Sequence, residues 1–160
     1  MSDPLSIASA ISGLITLTAQ ITNTAYTLYS SVKHAPASIP RIEQEISDLH
    51  LVFCQVQLFI GGATKGPKKN RLTHISPHHL MTTLSGCILI CSTLDKKLSD
   101  VAGLREVASV HTGTASGNKT VLLVEKIKWA LWKEAEVKEL IEGLQWHKLS
   151  LNLMLNIIQW

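Results

Sequence analysis

Pro4-Leu-Ser-Ile-Ala-Ser-Ala-Ile-Ser-Gly-Leu-Ile-Thr-Leu-Thr-Ala-Gln-Ile-Thr-Asn-Thr-Ala-Tyr-Thr-Leu-Tyr-Ser-Ser-Val32 is the stretch that decides how this chain is read. It contains no Asp, Glu, Lys or Arg, yet its apolar residues follow a pattern. Ile7, Ile11, Leu14, Thr18, Ile21, Ala25, Leu28 and Val32 recur at alternating steps of four and three, the stripe of an α-helix packed against other helices. Ser2 or Asp3 stands where an N-cap belongs, and Pro4 occupies the first helical position. The other faces carry Ser, Thr, Ala and Gln. Ser and Thr are mediocre helix formers, so packing or a membrane must supply the stability. The stretch is long enough for a hydrocarbon core, which takes about 20 residues, but its hydroxyl content makes it a poor permanent span. Two readings stand side by side: an ordinary bundle helix, and a helix stored in a bundle and released into lipid.

The same 4-3 spacing returns three times. Ala35-Pro36-Ala37 breaks the first helix, and Ser38 can cap a second with Pro40 in its first turn. Ile42, Ile46, Leu49, Phe53, Val56 and Ile60 form its seam, and Gly61-Gly62 is expected to end it. Ser76-Pro77 opens a third helix with the seam Leu80, Leu84, Cys87, Cys91, Leu94 and Leu98, closed by the charges of Asp95-Lys96-Lys97. Residues 109–120 read as a loop. Val137, Ile141, Leu144, Lys148, Leu151, Leu155 and Ile158 mark the last seam. The expected fold is all-α, an antiparallel bundle of four to five helices in one domain over residues 1–160. Helices are expected at about 4–33, 38–60, 77–100 and 121–160, the last either split near 133 or continuous and bent. Val121–Val124 could be a strand, but no partner strand is visible.

Composition narrows the function. The chain has 160 residues, 46% hydrophobic and 17% charged, too apolar for disorder. Net charge is +3, and the excess is local: without Lys65, Lys68, Lys69 and Arg71 it would be −1. With aromatics at 5%, a nucleic-acid platform is disfavoured, and the basic stretch reads as a solubilising loop or a contact for anionic lipid. Cys54, Cys87 and Cys91 lie in apolar segments and are expected to be free, buried thiols of a reducing compartment. The Ser2-Asp3-Pro4 opening lacks the basic region of a secretory leader.

Chemical motifs are scarce. His74, His78 and His79 cluster without a nearby carboxylate or thiol and read as a solvated helix start, so neither metal nor cofactor is expected. Gly61-Gly62-Ala63-Thr64-Lys65-Gly66 follows a helix and lacks the Gly-Lys-Ser/Thr ending of a phosphate loop, and no other catalytic motif occurs, so the chain is not read as an enzyme. Trp129, Trp132, Trp146 and Trp160 suit bundle core and edge, or interfacial anchoring. Lys148 interrupts an apolar seam; either its stem packs while the ammonium reaches solvent, or it pairs with an acid on another helix.

Residues 1–14, Met-Ser-Asp-Pro-Leu-Ser-Ile-Ala-Ser-Ala-Ile-Ser-Gly-Leu, resemble the opening of the fungal HeLo-like domains that precede NACHT-type modules in STAND (NOD-like) receptors. Lys128-Trp129-Ala130-Leu131-Trp132-Lys133, followed by Leu140, Leu144, His147-Lys148 and Leu151-Asn152-Leu153, resembles the end of the same domain. The resemblance spans essentially the whole chain. It implies a cell-death execution domain of fungal non-self recognition, cytoplasmic at rest and acting at the plasma membrane after self-oligomerisation. Leu5, Ile7, Ile11, Leu14, Ile15 and Leu17 would then belong to the inserting helix. A NACHT-type receptor or an amyloid-signalling protein is the implied partner, and the chain is expected to be an excised domain or a short protein activated by such a partner. Lys65, Lys68, Lys69 and Arg71 match no motif of the family, so their expected contact with anionic lipid rests on charge alone. The rival expectation is a soluble helical adaptor that binds other proteins and never touches lipid.

Overall fold

The computed structural model describes residues 4–31, 35–63, 75–110 and 132–159. They form four helices: α1 (Pro4–Ser31), α2 (Ser38–Ala63), α3 (Pro77–Val110) and α4 (Glu134–Gln159). No strand occurs among the described residues.

The 4-3 seams explain the packing. On α1, Ile7, Ile11, Leu14, Thr18, Ile21, Ala25 and Leu28 are all buried. Ile42, Ile46, Leu49, Phe53 and Val56 of α2 join them, with Leu80, Leu84, Cys87, Cys91, Leu94 and Leu98 of α3 and Val137, Ile141, Leu144, Leu151 and Leu155 of α4, in one core. Burying each large aliphatic side chain stabilises the fold by about 1.5–3 kcal/mol.

Element ends depart from the pattern. Gly61-Gly62 does not stop α2, which runs to Ala63. The Asp95-Lys96-Lys97 run does not close α3, which continues to Val110. Those charges lie off the seam, whose phase Leu94 and Leu98 carry on to the buried Val101. Trp132 and Lys133 are not helical and α4 starts at Glu134, so no single helix spans 121–160. Glu134 and Glu136 in the first turn of α4 favour that start, because carboxylates complement the positive end of a helix dipole. The expected loop at 109–120 begins inside α3, and residues 111–131, with the candidate strand and Trp129, lie outside the described residues.

Each helix touches two others. α1 and α4 both lie against α2 and α3, and are themselves diagonal across the bundle. Paired residues give the directions. Ser12 meets Gln57 and Thr18 meets His50, so α1 and α2 run antiparallel. Lys97 meets Glu136 while Gly86 faces His147, so α3 and α4 do as well. Ser38 meets Glu134 and Glu45 meets Gln145, which makes neighbours α2 and α4 parallel. Consecutive helices alternate in direction, and the chain crosses the bundle diagonally between α2 and α3.

Candidate functional site

The feature that sets this bundle apart is the attachment of α1. Over Leu5–Ser30 it is long and apolar enough to cross a membrane, with mean hydropathy 1.5, and it is the one such helix among the described residues. It is buried along one stripe, 28% of its apolar stretch, as a helix packed on one face is. Ile7, Ile11 and Leu14 lie in the core, Ile15 and Leu17 are half-buried, and Leu5 is 75% exposed. The sequence-predicted inserting residues thus share one helix but divide between core and surface.

α1 carries threonine hydroxyls, on its buried face as well as its outer one, that its own backbone satisfies. Thr16, Thr18, Thr22, Thr24 and Thr27, all the threonines of the helix, each donate to the carbonyl four residues back, at 2.8–3.1 Å. Ser30 donates to the carbonyl of Thr27. A hydroxyl bonded this way needs no water, so moving the helix into an apolar medium strands none of these donors. Three threonines of α3 bond likewise, but on a helix that carries charge.

Side-chain links from α1 to its neighbours never pair opposite charges. Thr18 is fully buried, and its Oγ1 lies 2.9 Å from Nδ1 of His50. The same hydroxyl also reaches the carbonyls of Leu14 and Ile15, so this buried group is fully partnered. Gln20 donates to the Asp95 carboxylate, and Gln57 donates to the Ser12 hydroxyl. Between α1 and α2 an open groove of about 380 Å³ is lined by Ala19, Asn23, Tyr26, Glu43 and His50, among others. Among the described residues no three His, Cys, Asp or Glu side chains gather to hold a metal. His78 and His79 are exposed, and His74 lies outside the described residues.

α2 and α3 are each tied to α4 by charge. Lys148 bridges from α4 to Glu45 at 2.6 Å and Asp48 at 3.2 Å on α2, and Gln145 also donates to Glu45. Burial alone would raise the Glu45 carboxyl, but the bonds from Lys148 and Gln145 outweigh it and hold the group below its usual value. This arrangement settles Lys148 as a partly buried ion-pair residue. Lys97 of α3 pairs with Glu136 of α4 at 2.7 Å; Lys133 first, then Lys97, hold that carboxyl down to about 2. At the start of α2, Trp132 Nε1 donates to Ser38, whose hydroxyl donates in turn to Glu134. α4 is therefore the hub of a charged frame with α2 and α3, and α1 lies in the cleft between those two.

The expected free thiols are present, with Cys87 and Cys91 buried and Cys54 half-buried. Burial pushes the Cys87 and Cys91 thiols up to about 12, which leaves them unreactive near neutral pH. Lys65, Lys68, Lys69 and Arg71 lie outside the described residues. The pattern reading missed an exposed stripe on α4, Trp146, Leu149, Leu153 and Ile157. Its 3-4-4 spacing opposite the Leu144–Leu151–Leu155 seam was the available signal. No protein-family model, curated protein or solved structure matches this chain.

Proposed function

We propose that the chain is a membrane-acting effector domain of the HeLo-like kind, in which self-association releases α1 from the bundle and the released helices insert into and permeabilise the plasma membrane. The observation that carries this reading is the attachment of α1: an uncharged helix, its threonine hydroxyls satisfied internally, held by an apolar seam while the other three helices are joined by ion pairs. α1 also forms the most extensive helix interfaces in the bundle, so it does not leave for water. Losing its buried Ile and Leu contacts, about 1.5–3 kcal/mol each, would consume the marginal stability of a domain this size. Acyl chains offer those side chains a comparable apolar environment, so release into lipid retains what release into water would lose. The basic residues Lys65, Lys68, Lys69 and Arg71 would draw the domain to anionic lipid, each contributing about 1 kcal/mol near the surface. The domain is cytoplasmic at rest and performs no catalysis in this account, and a NACHT-type receptor or amyloid-signalling partner would trigger it.

Ala19→Lys tests the mechanism without disturbing the resting bundle, because Ala19 is exposed near the middle of α1. A lysine at the centre of an inserted helix costs about 2.5–3.5 kcal/mol. Leakage of anionic vesicles should fall at least tenfold while the thermal midpoint stays unchanged. Leakage equal to that of the parent chain would reject insertion of α1.

The exposed apolar stripe of α4 favours a second reading, a helical adaptor that binds protein alone. Co-sedimentation with vesicles separates the two, since an adaptor stays in the supernatant at every anionic-lipid fraction.

A further inference from the structure

The outer face of α4 changes character halfway along. Its first half carries Lys138, Glu139 and Glu142, all exposed. Its second half carries Trp146, Leu149, Leu153 and Ile157, which are 72%, 63%, 61% and 48% exposed. Their spacing lines them up on one face as a contiguous strip over three turns, unlike the single scattered apolar residues of an ordinary surface. We propose that this stripe is a self-recognition face, through which two copies of the chain pack α4 against α4 antiparallel about a twofold axis that crosses the helix near residues 151–152.

The spacing argues for a second copy. Trp146 and Ile157 lie equally far on either side of that midpoint, and Leu149 and Leu153 flank it closely. Reversing the helix therefore lays Trp146 on Ile157 and Leu149 on Leu153 of the other copy, the self-complementarity that an isologous contact requires. Charge fixes the direction. In the antiparallel arrangement each charged half runs past the end of the other helix. A parallel pair would set Lys138 against Lys138 and Glu139 against Glu139. The borders of the stripe argue against lipid as its occupant. Helices that lie on membranes carry basic residues beside the apolar face. Here the neighbours are Gln145, His147, Ser150, Asn152 and Asn156, and Lys148 is engaged by Glu45 and Asp48. Because α4 is diagonal to α1, the contact leaves the outer face of α1 uncovered. The inference does not depend on the membrane reading.

Sedimentation velocity of the whole chain over a concentration series should show 17.6 kDa converting to twice that mass. Leu149→Lys/Leu153→Lys should lose the larger species with unchanged circular dichroism. In a Cys54→Ser background, Trp146→Cys mixed with Ile157→Cys should oxidise to a disulfide-linked pair, while each alone should not. This second measurement decides the matter if the lysine variant fails to fold. A chain that stays monomeric, a dimer untouched by the two lysines, or a Trp146→Cys chain that links to itself would overturn the proposal. So would a monomer that binds vesicles through this stripe.

Discussion

At residue scale, α3 and α4 approach by exchange. Gly86 of α3 faces His147 of α4, and four residues along, Gly143 of α4 faces Ile90 of α3. A methyl group on Gly86 would fall onto the imidazole ring, whereas one on Gly143 would meet the end of the Ile90 side chain at 2.8 Å, which can turn aside. Gly86→Val should therefore destabilise the fold by about 1–3 kcal/mol in urea melts, and Gly143→Ala by less. Desolvation holds the His147 imidazole below its ordinary value of 6.5. The folded chain then binds fewer protons than the unfolded one, so stability is full above about pH 6.5 and declines as pH falls below it. His147→Gln should show a smaller loss of thermal midpoint between about pH 7.5 and pH 5 than the parent. Neither glycine was legible as a packing residue in the sequence, because each makes room for a side chain on a helix more than fifty residues away. Lys148 was partly legible: its place in an apolar seam flagged it, but the identity of its acid depended on α2 lying parallel to α4.

At element scale, the seams were readable and the ends were not. A 4-3 pattern depends only on helix geometry, so burial followed it closely on all four helices. Helix ends depend on what the next turn packs against, which is why α2 passes through Gly61-Gly62 and α3 passes its charge cluster. The frame of α2, α3 and α4 makes its own prediction. Lys148→Met should leave the Glu45 carboxylate, only 14% exposed, without its cation and destabilise the bundle by about 1–3 kcal/mol at neutral pH. The lowered Glu45 value means that the pair's contribution is present above the carboxyl's unfolded value of 4.5 and is lost as pH falls through the folded one. The gap between variant and parent should accordingly close in acid denaturation followed by circular dichroism.

At the scale of the whole molecule, α2, α3 and α4 form a charged frame with the uncharged α1 laid against it, and the proposed function assigns them two tasks, holding a shape and leaving it. The sequence showed that α1 lacks charge; it did not show that α4 is the hub, or that α1 lies diagonal to it, because both follow from the diagonal crossing between α2 and α3. The division of tasks stands or falls on whether α1 must move. Cysteines placed at Ser12 and Gln57, whose side chains meet at 3.3 Å across α1 and α2, allow a short reversible thiol bridge to tie the two helices. The measurement is dye release from anionic vesicles by the tied protein, before and after reduction. The account predicts no release while the bridge is intact and parent-level release once it is cut; release by the tied protein would contradict it.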